Sequence, residues 1–408
     1  MRVCILTDYY YPQLGGITEH VHGQAVNLAA RGHEVTIVTG RLPHAPRAAD
    51  RDERVVEARG VELVHMGVAL PLYGNGSQTL HTVLPLGARQ LRRFFAARQF
   101  DVVHIHAPYN PSFFMLAPFV LPPSAVGVGT YHSVFTPGRV RDLVRAPTRA
   151  SLRRLEGHVV VSDACIEPLD HYFPEFDWRV IPNGIDERHF APDAAPIAAL
   201  RESGDPVILF LGRFDPRNGL GIMLDAFSEV RRAREGRVRL CVVGDGPLRR
   251  FYQRGLAPEV ADSVHWAGRI DWNRPRYYAS ADVFCTPCQR ASFGMVLLEA
   301  MSCGRPVVGS LISGFERLLT SGREGLLVAP PDDARGFAAA LLHLLDSPAE
   351  RSRMGAEGRL TATTRYAWSS VAAELEAYYL ELRGEAPPPL EARSAPVAHT
   401  QREAPARV

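Results

Sequence analysis

The sequence predicts an α/β protein with two domains, each built around a parallel β-sheet, and three observations support this prediction. The chain has 408 residues, which is too long for one ordinary domain, so two domains of roughly 150–200 residues each are expected. Short β-branched runs alternate with helical segments in both halves, which is the pattern of parallel sheets with helical crossovers. The composition, with 46% hydrophobic and 22% charged residues, is typical of a globular protein.

Composition also excludes several classes of function. No apolar run approaches the roughly 20 residues of a membrane span, and the first residues, MRVCILTD, read as a strand rather than a signal peptide. The 6 cysteines are scattered, and Cys285 and Cys288 form a single C-x-x-C, so we expect neither zinc binding nor disulfides and favour a reducing cytoplasm. A net charge of +2 gives no support for nucleic-acid binding. All 46 basic residues are arginine, so any cationic contact to phosphate must come from arginine.

The first predicted unit is a strand at residues 2–8, a loop, a helix at residues 18–31 and a second strand at residues 35–39. The loop contains an aromatic run followed by Gly15 and Gly16, at the carboxyl end of the strand. Ligands bind at that end in doubly wound sheets, so the glycine pair predicts a binding loop, with a simple turn as the alternative.

Further predicted strands complete a parallel sheet of the Rossmann type, with a helix at residues 80–99 between them. They lie at residues 61–66, 102–106, 126–131 and 158–161. His104 and His106 project from one face of a strand and could bind a metal. No third ligand stands near them in the sequence, so packing is the favoured role. His132 follows a strand in a glycine-containing loop, where a side chain can face a cleft.

Residues 133–156 are rich in arginine and contain interspersed apolar residues. This composition predicts an amphipathic segment on an anionic membrane surface, carried by Arg139, Arg141, Arg145, Arg149 and Arg153. A solvated helix face is the alternative. Pro147 is expected to break or kink a long helix here.

A second series of strands and helices follows a linker that begins near Phe190. Its strands are predicted at residues 207–211, 238–243, 264–268, 281–286, 306–309 and 325–328, and its helices at 220–234, 332–345 and 366 to about 382. The remaining tail is polar and rich in Pro and Ala, which predicts disorder.

A helix at residues 295–302 carries one acid, Glu299, among apolar residues. A buried carboxylate needs hydrogen-bond donors, and a helix start preceded by small residues offers free N–H groups to an anion. Two interpretations stay open from the spacing alone: a site for a ligand with phosphates and hydroxyls, or a structural carboxylate that pairs with an arginine.

The motifs together resemble a known family. LGGITEH, DVVHIHAP, GTYHS, VSD, IPNGID, FLGRFD, VVGDGP, SFGMVLLEAM and GLLVAPPDD occur in the order and spacing of family 4 retaining glycosyltransferases of the GT-B fold. The chain is most similar to the phosphatidylinositol mannosyltransferase branch, over residues 1–382. The resemblance implies two Rossmann-like domains that face each other across a cleft. It places an acceptor domain at 1–190, a donor domain at 191–365, a helix at 366–383 that crosses back to the first domain, and a tail at 384–408.

The resemblance also implies roles for individual residues. Glu299 would hold the ribose hydroxyls, Arg213 the donor diphosphate, and His132 the transferred sugar. The other implied donor contacts are Gly15, Gly16, Asn218, Gly244, Arg269, Ile270, Ser292, Phe293, Gly294 and Met295. We expect acceptor contacts from Tyr9, Thr18, Tyr73 and Asn75.

The implied reaction moves a hexose, most plausibly mannose from GDP-mannose, to a membrane-associated lipid or glycan acceptor, at the cytoplasmic face of a membrane. UDP-hexose is the alternative donor. No cofactor and no metal are implied. Cations and N–H groups that stabilise the departing nucleoside diphosphate would supply much of the catalysis.

Two positions depart from the family pattern. The first acid of the E-x7-E signature falls on Ala291, and the Lys that accompanies the diphosphate arginine falls on Asn218. Arg217 stands next to Asn218 and could supply the missing charge. These departures motivate an alternative function, a catalytically weak donor-binding homologue that acts as a partner or regulatory subunit.

Overall fold

A computed structural model describes residues 1–13, 15–43, 60–74 and 77–386 of the chain. Asn75 and residues 387–408 of the predicted tail lie outside this part. The strands are β1 to β14 in chain order: Arg2–Thr7, Glu34–Arg41, Val61–Gly74, Ser77–Val83, Val102–His106, Val126–Tyr131, Gly157–Val160, Arg179–Val180, Val207–Leu211, Arg239–Val243, Val264–Gly268, Val283–Thr286, Val307–Ser310 and Gly325–Val328.

The described strands form two sheets, so the predicted α/β class with two parallel-sheet domains is confirmed. The first has the order β4-β3-β2-β1-β5-β6-β7-β8 and the second β11-β10-β9-β12-β13-β14. Every strand pair is parallel except β3 with β4. The first sheet ends at Val180 and the second begins at Val207. We call these two parts the N-terminal and C-terminal halves.

Helices cover the sheets. Their bounds are Gly16–Ala30, Gly87–Ala97, Arg139–Leu152, Ile166–Asp170, Ala198–Arg201, Leu220–Ala233, Arg249–Arg254, Pro258–Ala261, Arg274–Ser280, Met295–Ser302, Ser313–Glu316, Ala334–Asp346, Pro348–Arg365 and Trp368–Leu382. Short 3₁₀ helices lie at Phe113–Phe119, Asp163–Cys165 and Pro216–Asn218. None of the described helices is both long and apolar enough to span a membrane.

One local prediction is wrong. The helix predicted from Leu80 instead begins at Gly87, because Ser77–Val83 forms β4, which pairs with β3 as an antiparallel hairpin. Of the break or kink expected at Pro147, the break is ruled out, since the helix Arg139–Leu152 continues through this residue.

The helix Trp368–Leu382 packs on the N-terminal half. Tyr379 is fully buried, and its hydroxyl hydrogen-bonds Gln24 Nε2 at 3.0 Å and His104 Nδ1 at 2.5 Å. A Cβ at Gly23 would lie 2.1 Å from the Trp368 ring, and one at Gly184 would lie 2.4 Å from it. The absence of side chains at these two glycines therefore makes the slot into which Trp368 fits.

His158 on β7 makes the folded state sensitive to acid. Its ring stacks on Phe176, and its Nδ1 hydrogen-bonds the Tyr131 hydroxyl at 2.9 Å. Burial lowers the pKa of His158 from 6.5 to about 4, although the charges of Asp177 and Glu175 oppose this. The unfolded chain therefore takes up this proton first. The stability that His158 contributes is complete above pH 6.5 and is lost as the pH falls toward 4.

We expect His158→Phe to reduce the acid sensitivity of the protein. Between pH 7.5 and 5.0, removal of this linkage should make the loss of unfolding free energy about 2 kcal/mol smaller than in the native protein. Denaturant unfolding at the two pH values measures the difference. The exposed His171→Phe is the control for the substitution itself, and a His158→Phe variant with the native pH dependence would contradict the assignment.

Candidate active site

Two helix starts meet where the two halves face each other. The helix Gly16–Ala30 begins beside the helix Met295–Ser302, since a Cβ at Gly16 would lie 3.6 Å from Met295 Cγ. Gly294 precedes the second helix with φ 101, and a Cβ there would lie 2.8 Å from the Phe315 ring, so the turn requires glycine. Unpaired N–H groups at both helix starts make this junction suitable for an anion.

Glu299 is buried one turn into the second of these helices. Its Oε2 accepts a hydrogen bond from the Tyr278 hydroxyl at 3.0 Å and lies 3.3 Å from Arg274 Nε. Both contacts use Oε2, and within the described residues no hydrogen bond to Oε1 is seen. Glu299 therefore pairs with an arginine, as expected of a structural carboxylate. Its second oxygen, Oε1, could still accept a hydrogen bond from a ligand hydroxyl.

Arg274 connects the two halves. Its Nη2 lies 3.6 Å from Glu19 Oε1 on the helix Gly16–Ala30, while its Nε faces Glu299. Burial raises the pKa of Glu299, and the Arg274 guanidinium opposes this. Burial lowers the pKa of Arg274, but the Glu299 and Glu19 carboxylates outweigh that effect and the net pKa is raised. Arg274 therefore stays a cation between two acids.

The predicted diphosphate loop follows β9 and places its cations together. Arg213 is half exposed and lies 3.3 Å from Asp215. Burial, and next the charge of Arg213, lower the pKa of Arg217, whose Nε has no hydrogen-bond partner among the described residues. Asn218 Nδ2 donates to the Arg213 carbonyl at 2.8 Å, so its amide stabilises the loop in this structure.

Gly244 packs closely against the loop that contains Gly212. It has φ 136, and a Cβ there would lie 1.9 Å from the Gly212 carbonyl oxygen. Close approach of the two loops, which follow β9 and β10, therefore requires glycine at this position.

The segment around Ala291 lies against the N-terminal half. Ser292 Oγ accepts a hydrogen bond from the Val134 amide at 3.1 Å, and Arg290 Nη1 donates to Thr136 Oγ1 at 2.7 Å. Ala291 is partly buried, and a Cβ at Gly314 would lie 2.2 Å from its carbonyl oxygen. Phe293 is buried, and its ring contacts that of Tyr366. Arg290, rather than an acid, is therefore the charged side chain beside the altered position.

Arg269 and Ile270, the predicted strip beside the nucleotide base, follow β11. Arg269 is exposed; its Nε lies 3.1 Å from Asp271 Oδ1, and its Nη2 donates to the Pro12 carbonyl at 3.5 Å. This strip therefore also touches the N-terminal half.

Three buried histidines meet beneath the junction. His106 Nδ1 and His132 Nε2 lie 2.8 Å apart, and the His20 ring packs edge-on against both rings. His104 stacks on His106 from the other side. Burial lowers the pKa of all four, to about 4 for His20 and about 3 for His104. The expectation that no third nitrogen ligand stands near the H-x-H pair was wrong, because residues distant in sequence supply it.

On the predicted acceptor side, Tyr9 is partly buried, and its hydroxyl accepts from Asn110 Nδ2 at 3.4 Å. Thr18 is fully buried and donates to the Gln13 carbonyl at 2.8 Å, so its hydroxyl holds the loop. The backbone of Tyr73 lies in β3, while Asn75 is outside the described residues. The acceptor roles of these four residues stay predictions.

Asp8 was missed by the sequence interpretation. Asp8 directly follows β1 and is buried. Its carboxylate accepts a hydrogen bond from the Thr82 amide at 2.9 Å. Burial raises its pKa to about 6, although hydrogen bonds with Thr82, Ser112 and Asn110 lower it. An acid at the carboxyl end of a central strand was the available signal.

The predicted membrane segment is the helix Arg139–Leu152. Its outer face exposes Leu143 and Val144, and the adjacent 3₁₀ helix exposes Leu116 and Phe119. The arginines differ in their contacts: Arg141 covers the Phe135 ring, Arg145 donates to the Tyr172 carbonyl, and Arg149 and Arg153 pair with Glu175. Arg139 is exposed at the first turn.

Comparison with known proteins identifies the family. Two family models match the chain, one described as Glycosyltransferase Family 4 over residues 14–189 and one as Glycosyl transferases group 1 over residues 205–347. The phosphatidyl-myo-inositol mannosyltransferase of Mycobacterium tuberculosis (strain ATCC 25618 / H37Rv) is 33% identical over 94% of this chain and 98% of its own. The chain belongs to glycosyltransferase family 4. It is therefore a hexosyltransferase by family, which confirms the resemblance seen in the motifs.

Solved structures place this family 4 glycosyltransferase in the GT-B fold. Sucrose-phosphate synthase from Thermosynechococcus elongatus has a TM-score of 0.72 at 23% identity, covering 94% of this chain and 99% of that one. Anabaena Alr3699/HepE in complex with UDP-glucose has a TM-score of 0.70 at 17% identity, covering 93% and 99%. At these identities the likeness shows the fold alone.

We expect Arg274→Ala to destabilise the protein strongly, because it leaves the buried Glu299 carboxylate without its cation. Breaking a buried pair from one side costs about 3–5 kcal/mol. Denaturant unfolding measures this cost. The exposed Arg276→Ala, on the same helix, is the matched control and should change stability little. Equal effects of the two variants would show that the Arg274 pair contributes no more than a surface contact.

Proposed function

We propose that this protein is a retaining mannosyltransferase that uses GDP-mannose and an inositol phospholipid at an anionic membrane surface. The observation that carries the proposal is the combination of an anion site at two helix starts with an exposed, arginine-rich apolar helix shortly after His132. The full-length similarity to a phosphatidyl-myo-inositol mannosyltransferase supports mannose as the transferred sugar and an inositol phospholipid as the acceptor.

Donor binding would use the C-terminal side of the junction. Arg213 and the N–H groups at the start of the helix Met295–Ser302 would meet the diphosphate, with the Asn218 amide nearby. Glu299 Oε1 would accept from a ribose hydroxyl while Oε2 keeps its bonds to Arg274 and Tyr278. These groups stabilise the negative charge that grows on the leaving nucleoside diphosphate, which is where catalysis is needed.

The transfer would occur on one face of the sugar. The bond from C1 to the phosphate oxygen breaks, the acceptor oxygen bonds to C1 on the same face, and the departing phosphate takes the acceptor proton. His132, held by His106, would donate a hydrogen bond to the transferred sugar. This route needs no carboxylate nucleophile.

The acceptor lipid would enter from the side of Tyr9 and the hairpin formed by β3 and β4. The helix Arg139–Leu152 would lie on the membrane, with Leu143 and Val144 in the headgroup region and Arg139 near anionic lipid. Each such arginine contributes about 1 kcal/mol to binding. Peripheral attachment at the cytoplasmic face is part of this proposal.

The test is transfer of labelled mannose from GDP-mannose to phosphatidylinositol in vesicles, with UDP-glucose as the competing donor. We expect mannolipid from GDP-mannose. Glu299→Gln should raise the donor Kd about 10- to 100-fold, because one hydrogen bond to a charged group is lost. Glu229→Gln, which neutralises a half-exposed carboxylate on the helix Leu220–Ala233, is the control. The mannosyl proposal would be overturned if incubation with GDP-mannose gave no product and no donor hydrolysis. An unchanged Kd for Glu299→Gln would remove the ribose role of Glu299.

A second candidate is a donor-binding homologue with little turnover that serves as a partner subunit. Ala291 favours it, because no carboxylate is seen at this position and Arg290 is directed to Thr136. Asn218 also favours it, because its amide is engaged within the loop.

Ala291→Glu separates the two candidates. If the site has decayed, restoring the acid should increase turnover at least tenfold, or about 1.4 kcal/mol in the barrier. If the native site works with alanine, turnover should stay the same or fall. Steady-state rates at saturating donor measure this, and Ala291→Gln controls for side-chain size.

A further inference from the structure

The histidine cluster beneath the junction has the arrangement of a metal site. His20 comes from the helix Gly16–Ala30, His106 from the end of β5, and His132 from the loop after β6. One ring nitrogen from each residue lies within 4.8 Å of the other two, and all three side chains are buried. Three separate elements therefore bring imidazole nitrogens to one point.

Hydrogen bonding leaves part of this cluster unsatisfied. His106 Nδ1 and His132 Nε2 share one hydrogen bond at 2.8 Å, so one of these two nitrogens provides a lone pair. His106 Nε2 and His20 Nδ1 are buried and have no hydrogen-bond partner among the described residues. A buried polar nitrogen without a partner is destabilising, so His20 Nδ1 would gain from an electron-pair acceptor.

The residues in and around the histidine cluster indicate which metal ion it would bind. Trp368 packs edge-on against His20, and its ring is fixed by close contact with Gly23 and Gly184. No carboxylate belongs to the cluster in the described part of the chain. A set of only imidazole nitrogens suits Zn²⁺ and disfavours Mg²⁺ or Ca²⁺, which take oxygen ligands.

We propose that His20, His106 and His132 form a zinc site, with water or a ligand oxygen as the fourth ligand. In a tetrahedral site with Zn–N distances of about 2.0–2.1 Å, neighbouring nitrogens lie about 3.3 Å apart. The hydrogen-bonded pair of His106 and His132 would open by about 0.5 Å, and the wider separations would close by rotation of the rings. The His104 ring stacks on the His106 ring and would limit rotation of that ligand.

Zinc at this site would also control the enzyme. His132 is the residue that the proposed function places beside the transferred sugar, and a metal-bound imidazole would hold it away from that role. This consequence rests on the proposed function, whereas zinc binding itself does not.

Binding is tested with Co²⁺ as a spectroscopic probe on the full chain after removal of metal with a chelator. We expect one equivalent of Co²⁺ with the intense visible absorption of four-coordinate cobalt, displaced by Zn²⁺. His106→Gln and His20→Gln should each weaken Zn²⁺ binding at least 100-fold. His104→Gln, which removes a buried histidine of the same strand outside the ligand set, should weaken it by less than the ligand variants do.

Ligand identity is checked on the native chain by X-ray absorption at the zinc edge, so that a variant that fails to fold does not decide the outcome. Three imidazoles and one oxygen would support the proposal. Sulfur ligation would overturn it, because the metal would then be bound by cysteines and not by the three histidines. The described cysteines, which include Cys285 and Cys288, are free and buried. Absence of stoichiometric binding, or full binding by both ligand variants, would overturn it as well. Inhibition of transfer by Zn²⁺ is a separate readout, and its failure would count against the proposed role of His132 and not against the site.

Discussion

The site depends on one buried cation placed between two acids. Arg274 lies against Glu299 on one side and Glu19 on the other, so it links the helix of the C-terminal half to the first helix of the N-terminal half. A charge removed from water is costly unless it is paired, so this arrangement holds only while both acids face the arginine. This pairing acts together with the contacts that Ser292 and Arg290 make with the N-terminal half, and these interactions fix the two helix starts relative to each other.

The two departures from the family pattern change the site in a compensating way. Relative to the family pattern, alanine at 291 removes a negative charge and asparagine at 218 removes a positive one, so the two changes together leave the net charge of the chain as it was. The methyl group and the amide differ in shape from the carboxylate and the ammonium group that they replace. Arg213 and Arg290 lie close enough to Arg217 for their charges to lower its pKa, and the three arginines supply the positive charge here in a chain without lysine.

Much of the fold could be predicted because its signals are local. The predicted bounds of β5, β6, β9 and β11 match the structure residue for residue. In β9 the signal is the largely buried run VILFL, which is continuously apolar as expected of a parallel strand. The hairpin of β3 and β4 was missed because Leu80 to Val83 is as compatible with a helix as with a strand, and antiparallel pairing with β3, the strand that directly precedes it, decided it. Arg274 as the partner of Glu299 and His20 as the neighbour of His106 could not be identified from spacing, because each contact joins elements that only the tertiary structure brings together.

The return of the last helix to the N-terminal half has a consequence for synthesis of the chain. Tyr379 completes the buried contacts of Gln24 and His104, and Trp368 fills the slot at Gly23 and Gly184. The first half therefore emerges from the ribosome with its core open and can close it only after the helix ending at Leu382 has been made. Until then the face under the first helix is an exposed apolar surface, and the nascent protein relies on chaperones or on speed to avoid aggregation. Completion of the C-terminal half and closure of the N-terminal core thus become one event, which follows synthesis of the helix Trp368–Leu382.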